Sequence, residues 1–180
     1  MTSTMLALAL TATATVPIYE GRVFVPSAAS DAQPVFTYER RVTATDDGLI
    51  ASHLTHDASG TTIIEESAQM TPAYALRRFD ADNRQQDFRG AATVSADGRR
   101  IDFSLLREGR WSYASETVNS PVVAGPSLHG FMLQHWDRLA AGDTVPVRMI
   151  VMAKKTTYGF RIRLHSRSDE RTAFSVTPTN

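Results

Sequence analysis

One stretch of this 180-residue chain reads as helix, and nearly everything around it reads as strand. It runs from Gly125-Pro126-Ser127 to Ala141-Gly142-Asp143. A first-turn proline loses no helical hydrogen bond, and a serine oxygen can cap the free N–H groups of a first turn. Gly142 accepts the left-handed backbone that closes a helix. At the helical period Leu128, Phe131, Met132, His135, Trp136 and Leu139 fall within an arc of about 140°. The spacing therefore predicts one helix, Ser127 to Ala141, about 22 Å long. A lone amphipathic helix among strands must bury that face on a sheet.

Composition narrows the function classes. Apolar residues make up 42% of the chain and charged ones 21%, ordinary values for a globular domain. Nineteen basic residues balance nineteen acidic ones, with no block of like charge. A nucleic-acid partner is not expected, because it selects for a basic stripe. With no cysteine, a disulfide framework, a thiolate metal site and a Cys nucleophile are excluded. No run nears the roughly 20 apolar residues of a membrane-spanning helix. Met5-Leu6-Ala7-Leu8-Ala9-Leu10 followed by Ala12-Thr13-Ala14 fits a signal peptide remnant over residues 1–14, though no basic residue precedes it. Export to the periplasm or beyond is the expectation, a cytoplasmic location is the alternative, and a single domain runs from 15 to 180.

Turn chemistry divides the rest into hairpins. Asp46-Asp47-Gly48 reads as a three-residue loop that sets Val42 opposite Ser52 and Ala44 opposite Ile50. The same loop type at Ala58-Ser59-Gly60 sets Leu54 opposite Ile64, so Ile50, Leu54 and Ile64 share the face of Phe36 and Tyr38. Asp97-Gly98 suits a two-residue turn pairing Val94 with Ile101 and Ala92 with Phe103. At Arg107-Glu108-Gly109 the hydrophobic pattern favours a three-residue turn. It pairs Leu105 with Trp111 and Phe103 with Tyr113, whereas a two-residue turn exposes both aromatics. About ten strands follow, arranged as an antiparallel meander.

The motif Val123-Ala124-Gly125-Pro126-Ser127-Leu128-x-Gly130-Phe131, continuing through Trp136-Asp137-x-Leu139-x-Ala141-Gly142 to a strand ending near Tyr158-Gly159-Phe160-Arg161, resembles a family of uncharacterised bacterial secreted proteins. That family is similar in architecture to the periplasmic lipoprotein-localisation factors. The resemblance, which covers roughly 16 to 180, implies a mainly β fold: a strongly curved antiparallel sheet, an unclosed barrel, wrapped around one long helix. It also implies further strands beyond Phe174-Ser175-Val176-Thr177-Pro178, hence a C-terminally shortened chain with an unpaired sheet edge.

Candidate chemistry is sparse. Gly125-Pro126-Ser127-Leu128-His129 imitates a nucleophile elbow but has histidine where the second glycine belongs, and Ser127 reads more simply as a helix cap. His53 and His56 point to opposite strand faces, and His129 and His135 lie about 120° apart on the helix, so no pair converges on a metal. Arg40 and Glu66 share the apolar face, either as a buried ion pair or at a solvated edge, and the edge is favoured because burying charge is costly. No catalytic constellation assembles, and no motif calls for a cofactor. The remaining feature is the stripe of Leu128, Phe131, Met132, Trp136 and Leu139. It either fills the core or lines a pocket for a lipid or acyl chain. The expected function is a non-enzymatic periplasmic protein carrying such an apolar ligand on the concave face of its sheet. The alternative is an envelope-assembly interaction module with a filled core and a protein partner.

Overall fold

A computed structural model describes residues 16–24, 32–168 and 172–179. The segment read as a signal remnant lies outside the described residues. Eight strands form one antiparallel meander in chain order: β1 (Val16–Val23), β2 (Phe36–Thr45), β3 (Gly48–Asp57), β4 (Thr62–Met70), β5 (Leu76–Asn83), β6 (Phe88–Val94), β7 (Arg100–Arg107) and β8 (Arg110–Thr117). Four more, β9 (Val122–Val123), β10 (Thr144–Val151), β11 (Thr156–Arg167) and β12 (Thr172–Pro178), form a second sheet in the order β12-β11-β10-β9. There β9 runs parallel to β10, and the other pairs are antiparallel. Among the described residues neither sheet closes into a barrel. The mainly β, unclosed, antiparallel character expected from the sequence is present.

The long helix is not. After a 3-10 turn at Gly125–Ser127 come two short helices, α1 (Leu128–Gln134) and α2 (Trp136–Ala140), separated by His135 at φ −104° and ψ 17°. Hydrogen bonds from His135 N–H to the Phe131 carbonyl and from Leu139 N–H to the His135 carbonyl cross the break, so the segment is kinked rather than severed. Nor does one sheet wrap around it. The 3-10 turn packs on β3 and β4 of the large sheet, whereas α2 packs on β10 and β11 of the small one. Periodicity sees a continuous apolar stripe and cannot see that its two ends serve different sheets.

The core is correspondingly double. Phe79, Ala92, Ile101, Phe103 and Leu105 on the inward face of the large sheet pack with Val122, Ile150 and Met152. Phe131 and Leu139 pack with Val123, Val145, Val147 and Ile162. A second 3-10 turn, Met152–Lys154, presses on β6 and β7. Gly90 makes this contact possible, because a Cβ there would stand 2.8 Å from both Met152 Sδ and the Ser104 carbonyl oxygen. The sheets are also joined through Glu116 of β8. Its carboxylate accepts hydrogen bonds from Arg148 Nη2 (2.8 Å), Thr157 N–H (2.8 Å) and Thr157 Oγ1 (2.7 Å).

Several registers differ from the sequence reading. At the first hairpin Thr45 pairs with Gly48, so Ala51 rather than Ser52 faces Val42 and the β3 faces are exchanged: Ile50 and Leu54 turn away from the core. Gly48 is placed so that any side chain would collide with the Met70 carbonyl oxygen, which fixes the tighter loop. At the next hairpin a bulge between Thr55 and His56 sets Ile64 opposite Thr55 instead of Leu54. The pairs Val94–Ile101 and Ala92–Phe103 form as expected. Their loop is longer than two residues, since Ser95 pairs with Arg100, Gly98 N–H bonds to Ser95 O, and of Asp97 and Gly98 only Gly98 (+72°) has positive φ. Most consequential is β7–β8. Glu108 (φ +51°) and Gly109 (φ +73°) form a two-residue turn, Arg107 pairs with Arg110, and Leu106 rather than Leu105 faces Trp111.

Candidate functional site

Because neighbouring strands in the meander run in register, rows of side chains cross the large sheet at right angles to the chain. On the outward face one row reads Ser67, Asp80, Ala91, Ser104, Tyr113 from β4 to β8. Except for Asp80 and the terminal tyrosine these are small side chains, and they form the floor of a trough. The row on one side reads Glu65, Asp82, Arg89, Leu106, Trp111. The row on the other side contains Arg78 and Asp102. Four inter-strand steps give the trough a length of about 19 Å. It encloses about 440 Å³, within the usual range of small-molecule sites.

Trp111 lines one end of the trough, and Tyr113 stands beside it on the same strand face. Trp111 and Tyr113 alternate with Ser112 on β8, so both project outward. Their rings are nearly parallel, 13° apart with centroids at 6.3 Å. They are 57% and 72% exposed, although a tryptophan and a tyrosine are expensive to leave in water. The charges along the trough nearly balance, with three carboxylates (Glu65, Asp80, Asp82) facing two guanidinium groups (Arg78, Arg89). Arg78 grips Asp80 through Nε (2.8 Å) and Nη2 (2.6 Å), and that hydrogen-bonded carboxylate raises the guanidinium pKa. Glu65 and Asp82 stand directly opposite each other across β4 and β5, an unfavourable like-charge pairing, with Arg89 the next residue in the row.

On the inward face lies a second polar group. Arg40, His53 and Glu66 occupy one row across β2, β3 and β4. Arg40 is 2% exposed and donates from Nε (3.3 Å) and Nη2 (3.0 Å) to the Pro126 carbonyl oxygen. The solvated edge expected for Arg40 is thus replaced by full burial, made tolerable by a backbone acceptor in the 3-10 turn. His53 Nδ1 approaches Glu66 Oε2 at 3.7 Å. Burial pushes the Glu66 carboxyl up, while burial and then the Arg40 charge push the His53 imidazole down. Both shifts favour neutral groups.

The residues singled out in the sequence distribute as follows. Phe131 and Leu139 are buried in the second core cluster, and Leu128 and Met132 pack against it. Trp136 stands edge-on to Phe174, which itself packs against that cluster, and has Arg167 over its ring. Ser127 is fully buried, and its hydroxyl bonds back to Ala124 N and O instead of capping the helix. His129 and His135 both lie on the short helical segment, and His135 contacts Phe131 edge-on. Among the described residues no group of three His, Asp or Glu could hold a metal ion. The sequence reading missed the Trp111–Tyr113 pair as a site. The signal that marks it is Glu108-Gly109, two residues suited to a tight turn, followed by small Ser112 and Ala114 on the opposite parity. No family model, no curated protein and no solved structure matches the chain.

Proposed function

We propose that this chain is a binding module that works through the outward face of its large sheet, with an interior occupied by its own side chains. The exposed, parallel Trp111–Tyr113 pair at the end of the trough carries this reading. Tryptophan and tyrosine dominate binding hot spots because each buries a large rigid surface at little entropic cost. The packing of Phe131 and Leu139 into the second cluster supports the filled-core alternative over an apolar-ligand carrier, which needs those same side chains for its cargo.

A photo-crosslinking amino acid in place of Tyr113, in chain expressed in its own host, tests the reading. Leu133, 47% exposed on α1, is the control position. The module reading expects adducts from position 113 and none from position 133. Adducts from position 133 alone would move the working surface to the helices, and adducts from neither would remove it.

A further inference from the structure

We propose that the trough binds an uncharged polyhydroxylated chain, a neutral oligosaccharide. This rests on the binding-module reading and adds the chemistry of the ligand. The ligand lies on a sheet face, where strand backbones are already paired, so side chains must do the recognising. Those side chains set three requirements. Trp111 and Tyr113 offer flat apolar faces, so the ligand needs flat C–H surfaces of its own. Glu65 and Asp82 are acceptors only when ionised, so the ligand must donate hydrogen bonds. Arg89 is a donor only, so the ligand must also accept them.

Three other ligand classes fit less well, one for want of donors and two because of their charge. A proline-rich peptide presents carbonyl acceptors but has no N–H at its prolines, leaving the carboxylates without donors. A basic peptide satisfies Glu65 and Asp82 but sets its charge against Arg78 and Arg89. A nucleic acid stacks on the aromatics but brings phosphates against three carboxylates. A sugar chain combines C–H faces with hydroxyls that both donate and accept, and it carries no net charge to be repelled. The small floor residues Ser67, Ala91 and Ser104 leave room for it to lie across β4 to β8.

Native affinity electrophoresis of the full chain tests the inference, in gels containing dextran, mixed-linkage β-glucan, galactomannan or xylan. The expected result is retardation by at least one polysaccharide, unchanged by added salt. Trp111→Ala and Tyr113→Ala should each weaken it by about tenfold, the loss typical of a hot-spot aromatic. Their melting temperatures should match the parent chain, since both side chains are exposed. No retardation in any of the four gels overturns the inference, as does retardation that survives in the Trp111→Ala/Tyr113→Ala double variant. Decaproline or hexalysine binding that depends on Trp111, without polysaccharide binding, also overturns it but leaves the module reading standing. Crosslinking at position 113 judges that reading separately.

Discussion

A buried arginine without partners costs several kcal/mol, and Arg40 offsets part of that penalty by donating twice to the Pro126 carbonyl. Glu66 stands in the same row, and burial raises its carboxyl pKa. The folded chain therefore binds this proton more tightly than the unfolded chain does. The resulting stability is fully present below the ordinary carboxylate pKa and is lost as pH rises through the raised one. His53 acts oppositely: its lowered pKa gives stability above the ordinary histidine pKa that is lost as pH falls below it. Glu66→Gln should make the chain more stable than the parent at neutral pH, with the advantage vanishing in acid. Urea unfolding at a series of pH values reads this directly, and a variant equally destabilised at every pH would contradict it. The sequence placed Arg40 and Glu66 on one face because its two register slips, at β2–β3 and β3–β4, run in opposite directions and preserve the parity of β4. The same slips exchanged the faces of β3, which hid His53 from the row.

The β7–β8 hairpin shows which local signal prevails when two conflict. Hydrophobic pattern asks for a three-residue loop that hides Trp111 and Tyr113, whereas Glu108-Gly109 supplies a two-residue turn with positive φ at both positions. The turn prevails, because Ser112 and Ala114 on the inward face fit over a core already filled by Phe103 and Leu105. Alternation along β7 and the Val94–Ile101 pairing were legible because the longer loop that forms at Asp97-Gly98 keeps the register of the two-residue turn. The helix was legible as an apolar stripe but not as a kinked segment, and the structure separates residues that the stripe treats alike. Phe131→Ala should destabilise by about 3–5 kcal/mol, the cost of a large cavity in a filled core. Trp136→Ala, which removes the ring contacts with Phe174 and Arg167 from a half-buried position, should cost less, about 1–2 kcal/mol. Gln134→Ala, on the exposed side, should change little. Thermal denaturation of the three variants checks this order, and equal losses at 131 and 136 would mean both lie in one core.

Across the whole molecule, inward and outward faces divide the work. The 3-10 turns at Gly125–Ser127 and Met152–Lys154 cover the inward face of the large sheet, and Glu116 joins that sheet to the small one. The outward face keeps a trough of small residues with two aromatics at its end. A meander with one helical excursion was readable from turn spacing and amphipathicity. The division into two sheets was not, because no local pattern marks β8 as the end of one sheet or the two residues Val122 and Val123 as the parallel edge of the other. Everything proposed about function depends on Trp111 standing outside. In a Trp136→Phe chain, Trp111 is the only tryptophan, and its fluorescence reports its surroundings. The emission should lie at the red, water-exposed limit and be quenched by acrylamide almost as readily as free indole. A blue-shifted emission shielded from acrylamide would put Trp111 in the core and remove the site.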